Sequence, residues 1–107
     1  MPPTWTLENA LPIIRAIDPI ARRCNFSLAL RGGVLIRGES NSDLDLCFLC
    51  EEPGNPELCS VERLLREISE GMREQVNDCN APTGDRTNPH AFIWLRDGRR
   101  IEARFWI

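Results

Sequence analysis

Two aspartates, Asp43 and Asp45, stand two residues apart at the head of the apolar run Leu44 to Cys50. Side chains alternate faces along a strand, so both carboxylates point the same way and can reach one metal site. Mg²⁺ or Mn²⁺ prefers oxygen ligands, commonly one or two carboxylates together with substrate phosphates. Upstream, Gly32-Gly33 closes an apolar segment and opens a short helix predicted over Val34 to Arg37. The free N–H groups at such a helix start, with no Cβ in the way, form a cradle for phosphate. The two features complement each other, because one binds phosphate oxygens and the other neutralises their charge.

These residues need a frame. Leu7, Ala10, Leu11, Ile14, Ile17 and Ala21 recur at helical spacing, but Pro12 and Pro19 fall inside the run, which predicts a helix within 7–23 that starts late, bends or breaks in two. Phe26 to Leu30 alternates as a strand running into the Gly-Gly turn, and Asp43 to Cys50 is apolar on both faces after its carboxylates, as an interior strand is. Residues 51–59, with Pro53, Gly54 and Pro56, read as a loop. Ser60 then caps a helix whose stripe is Val61, Leu64, Leu65, Ile68, Met72 and Val76. Residues 80–89 read as a second loop.

Ala91 to Leu95 and Arg100 to Ile107 flank Asp97-Gly98, a pair that favours a two-residue type I′ hairpin turn. That turn pairs Arg96 with Arg99 and Ile93 with Glu102. Phe92, Trp94, Ile101 and Ala103 then face the core, and Glu102 shares the other face with Arg100 and Arg104. Helices alternating with strands, closed by a C-terminal hairpin, give an α+β (α/β layered) fold with a mixed sheet of about four strands, read as one domain over 1–107.

The stretch Arg31-Gly-Gly to Ser42-Asp-Leu-Asp-Leu46 resembles the nucleotidyltransferases of the DNA polymerase β superfamily, whose pattern is Gly, then Gly or Ser, a short gap, and Asp-hydrophobic-Asp/Glu-hydrophobic. Nine residues separate Gly33 from Asp43. Arg37-Gly38 and Ser42 before Asp43 resemble the minimal nucleotidyltransferases in particular. Arg31 departs from the pattern, which prefers a hydrophobic residue there. The resemblance implies a nucleotidyltransferase-like fold, with Asp43, Asp45 and, as third carboxylate on a later strand, Glu102 at the metal and the chemistry. It implies nucleotide binding by Gly32, Gly33, Arg37 and Ser42. Glu102 is then a metal ligand or the base for an attacking hydroxyl; its plain alternative is a salt-bridged residue on a solvated face. The substrate implied is an NTP, ATP first among them. Because small members of this class act as antitoxins on a partner toxin, the acceptor implied is a partner protein, with that partner or a homodimer supplying the other wall of the site. A module that kept the fold and lost the chemistry is the rival reading.

Composition bounds the rest. With 107 residues, 42% hydrophobic and 27% charged, the chain has an ordinary globular balance. A net charge of −3 makes bulk nucleic-acid binding unfavourable, although all 13 basic residues are arginines, suited to bidentate phosphate contacts. Met1 to Asn9 lacks the basic and apolar regions of a secretion signal, and no run is long enough to span a membrane, so the expected address is cytoplasmic. Five cysteines without regular spacing argue for reduced thiols packed as small hydrophobes. Cys47 and Cys50 have zinc-knuckle spacing, with Cys59, Cys79 and His90 to complete a site, but residues three apart on a strand diverge. His90, beside Pro89 in the second loop, has no partner in the sequence and reads as a surface residue.

Overall fold

A computed structural model describes residues 4–53, 55 and 57–107; Met1 to Pro3, Gly54 and Pro56 of the first expected loop lie outside the described residues. Trp5–Thr6 (β1) leads directly into a helix, Leu7–Arg23 (α1). Thr6 caps it: its hydroxyl accepts from the Asn9 N–H at 3.1 Å, and the Asn9 side chain accepts from the Thr6 N–H at 2.8 Å. The two prolines do not break α1, contrary to the expectation of a late, bent or split helix. They are seven residues apart, hence on one face, and that face is solvent-exposed along with Glu8 and Arg15, whose carbonyls lose the ladder bonds and can take water instead. On the opposite side Ala10, Ile13, Ile17, Ile20 and Ala21 are buried and hold the helix to the core.

Phe26–Arg31 (β2) runs to the Gly-Gly turn, Gly33–Arg37 (α2) follows, and Glu39–Ser40 (β3) pairs with β1. Leu44–Cys50 (β4) is the expected interior strand. The next helix, Val61–Gly71 (α3), begins at Ser60, whose hydroxyl accepts from the Arg63 N–H at 3.2 Å. Losing that cap costs about 1 kcal/mol. Ser60→Ala should therefore lower the melting temperature by about 4–8 °C, and a calorimetric scan showing no shift would contradict the cap. Val76, expected at the end of this helical stripe, instead starts a strand, Val76–Cys79 (β5). The periodicity runs on because the helix end and the strand start face the same core, where Met72 and Val76 are both buried.

Within the expected second loop, Thr83–Gly84 (β6) pairs with the start of Pro89–Leu95 (β7), so His90 lies on a strand. Arg100–Trp106 (β8) closes the chain. The sheet is α+β and mixed as expected, with more strands than the anticipated four: six, in the order β2-β4-β8-β7-β5 with β6 on β7. Among the described residues only β4 and β8 pair in parallel. One face packs under α1 and α3 through Phe26, Phe48 and Phe105; Phe48 and Phe105 stack at 5.1 Å and Phe26 meets Phe105 edge-on at 6.0 Å.

The terminal hairpin forms one register away from the type I′ expectation. Ile93 pairs with Ile101 and Phe92 with Glu102. Among Asp97 and Gly98 only Gly98 has positive φ, at 95°. Gly98 donates to Leu95 and Leu95 to Arg99, a three-residue loop in which a type I turn ends on a left-handed glycine. A slip of one residue exchanges faces, so Ala91, Ile93 and Leu95 are buried, while Phe92 and Trp94 leave the expected core side and join Glu102. On β8, Ile101 and Ala103 do face the core.

The cysteines also differ from expectation. Cys50 and Cys59 form a disulfide across the first loop, with Cα atoms 5.8 Å apart, because the end of β4 and the turn before α3 converge. Cys24 and Cys47 are buried thiols and Cys79 is half-buried, as small hydrophobes are. Among the described residues no helix is long and apolar enough to cross a membrane.

Candidate functional site

The site forms on the sheet face that α1 and α3 leave uncovered, at the end where β2 gives way to α2. Antiparallel pairing sets Arg31 opposite Asp45, and parallel pairing sets Asp45 beside Glu102. Gly32 follows Arg31 with φ 76° and ψ −155°, a conformation open in practice to glycine alone. That backbone lies directly against the Asp45 carboxylate: a Cβ on Gly32 would overlap Asp45 Oδ2. Arg31, Gly32, Asp45, Leu46, Glu102 and Arg104 line a cavity of about 180 Å³.

Asp45 and Glu102 stand side by side on adjacent parallel strands, near enough for each carboxylate to act on the other. Burial raises the Asp45 carboxyl above its usual range, the neighbouring Glu102 and Asp43 charges add to this, and Arg31 opposes it. Glu102 also accepts from Arg104 Nη2 at 3.1 Å. Asp43 sits just before β4, and both its oxygens are engaged by one guanidinium: Arg100 Nε donates to Oδ1 at 2.7 Å and Nη2 to Oδ2 at 2.9 Å. No three His, Cys, Asp or Glu side chains among the described residues stand as a ready-made metal cluster.

The other residues singled out in the sequence surround this pocket unevenly. Gly33 opens α2, and the Arg37 guanidinium folds back against it, 2.5 Å from where a Cβ would stand. Ser42 is exposed in the loop ahead of Asp43; its N–H donates to Ser40 Oγ at 3.1 Å. His90 does not line the pocket, although it pairs across the hairpin with Arg104, which does; its ring is 3.4 Å from the Thr83 hydroxyl. Arg31 was not anticipated as a site residue. Its position beside the glycine turn was the available signal, since the residue ending β2 must border whatever the turn borders.

The raised Asp45 carboxyl has a consequence for stability. A group that binds its proton more tightly folded than unfolded favours the fold below its unfolded value, about pH 4, and that advantage is lost as pH rises through the higher folded value. Asp45→Asn, which mimics the protonated form, should match the wild type in stability near pH 3.5 and exceed it increasingly toward pH 7. Urea unfolding across that range reads the difference; a constant gap would contradict it.

No family model matches the sequence, and no curated protein matches it. Its fold superposes on the solved structure of a cytoplasmic RNA terminal U-transferase with a TM-score of 0.58 and 15% identity, over 92% of this chain and 28% of that one. The protein therefore has a nucleotidyltransferase-like fold, and it spans little more than a quarter of that chain's length.

Proposed function

We propose that the protein is a divalent-metal-dependent nucleotidyltransferase of the minimal type, transferring NMP from an NTP, ATP first, to a hydroxyl acceptor with release of pyrophosphate. One observation carries this reading: the Gly32 backbone and the Asp45 carboxylate touch, with Glu102 lining the same pocket. The donor set fits Mg²⁺ or Mn²⁺, since Asp45 and Glu102 present hard oxygens side by side and Asp43 stands close enough to act on Asp45. When bound, the ion supplies charge neutralisation on the triphosphate and the departing pyrophosphate.

The chain's own residues do the positioning. The turn at Gly32 and Gly33 lets phosphate approach the backbone closely, and Arg31 and Arg104 at the pocket rim are guanidiniums suited to phosphate oxygens. Arg37 and Ser42 border the turn and the loop before Asp43, within the nucleotide's reach. Glu102 takes the acceptor's proton at its carboxylate as the acceptor oxygen bonds to Pα and the bond from Pα to the bridging oxygen breaks. We take a partner protein, or a second copy of the chain, as the other wall of the site and as acceptor.

A second reading, a module that keeps the fold without the chemistry, draws support from the engagement of both Asp43 oxygens by Arg100. Incubation with α-labelled NTPs, Mg²⁺ or Mn²⁺, and a cell lysate separates the two. A labelled protein or RNA band supports transfer; no label from any common NTP with either metal supports the binding module.

A further inference from the structure

The fork between Arg100 and Asp43 is the most completely built ionic contact in the site. Its two hydrogen bonds, 2.7 and 2.9 Å, occupy both carboxylate oxygens. The same guanidinium lies 4.2 Å from the Phe92 ring centroid and 5.0 Å from that of Trp94, so two aromatic faces hold it in place. Its main chain is fixed separately, because the Arg100 carbonyl accepts from Trp5 Nε1 at 3.1 Å. The Asp43 side chain is 15% exposed and that of Arg100 34%, which leaves the cation a solvent side to move into while the anion stays.

A carboxylate forked by a guanidinium has its charge already matched and its open sectors narrowed, so a divalent ion must compete with that cation for it. We infer that Arg100 is a positioning residue that serves as the resident cation of Asp43 and competes with the divalent metal for it, so that Asp43 becomes a ligand only when the guanidinium leaves. This rests on the metal-dependent reading above. It explains why Asp45 and Glu102 are paired and ready while Asp43 is not, and it makes the metal affinity of the free protein lower than three carboxylates would give. Phe92 and Trp94 set how readily the side chain leaves, since their faces retain it whether or not Asp43 does.

Titration of the full chain with Mn²⁺ alone, following free Mn²⁺ by electron paramagnetic resonance, tests the exchange without requiring turnover. Arg100→Gln should bind Mn²⁺ about tenfold more tightly than the wild type, as the loss of a partly exposed, charge-assisted fork allows. Adding Asp43→Asn to Arg100→Gln should remove the gain. Arg100→Lys, which keeps the charge but loses the fork and the stacking, should fall between and decides the matter if circular dichroism shows Arg100→Gln unfolded. A purely structural role predicts the opposite, since loosening Asp43 would weaken binding. Wild type that binds Mn²⁺ while folded Arg100→Gln binds it no more tightly overturns the exchange and leaves the metal site standing. No Mn²⁺ bound by any of the proteins overturns both.

Discussion

Asp45→Asn is expected to lower nucleotidyl transfer by about 10³-fold or more, because it removes an anionic oxygen from the point where phosphate charge is neutralised. The same substitution should leave the fold intact and raise the melting temperature at pH 7 by a few degrees. Burial and the two neighbouring carboxylates disfavour a charge on Asp45, and an amide carries none. Loss of activity with gain of stability is the signature of a functional group held at a cost to the fold. Activity within a few fold of wild type would remove Asp45 from the mechanism, and loss of both activity and stability would make it a structural residue.

Gly32→Ala is the second large effect. The φ of 76° with ψ −155° costs a residue bearing a Cβ about 1–3 kcal/mol in backbone strain alone, and the added methyl overlaps the Asp45 carboxylate. The turn or Asp45 must move. A displacement of about 1 Å at a reacting centre is enough for a 10²-fold loss of rate, so transfer should fall by about that factor together with stability. Gly33→Ala serves as the contrast. Its Cβ meets the end of the flexible Arg37 side chain, with the Glu39 carbonyl at 3.1 Å, so the loss there should stay below about tenfold. Equal effects at the two glycines, measured by transfer rate and urea midpoint, would argue against the special role of Gly32.

Much of this site was legible in the residues. The Gly-Gly turn and Asp-x-Asp lie on adjacent strands because β2 and β4 pair as neighbours in sequence do, and alternation along β8 put Glu102 with Arg100 and Arg104. The pairing of Arg100 with Asp43 was not legible, since it depends on parallel alignment of β4 with β8, Leu44 against Ile101, across more than half the chain. The hairpin register escaped because Asp-Gly suits both a two-residue I′ turn and a three-residue loop ending on glycine, and the choice exchanged the faces of Phe92 and Trp94. β1 and β3 are two residues each, too short to show a period. The prolines of α1 misled for a different reason: local breaking was outweighed by a buried stripe on the far side of the helix. The Cys50–Cys59 bond depends on where a loop returns, which spacing alone does not encode.

Crystals grown with Mn²⁺ and a non-hydrolysable NTP provide the decisive observation through anomalous scattering. The account predicts a manganese peak about 2.1 Å from carboxylate oxygens of Asp45 and Glu102, with the triphosphate lying along Gly32 and Gly33. Manganese and nucleotide bound elsewhere on the molecule, or a nucleotide in this pocket that makes no use of Asp45, would contradict it.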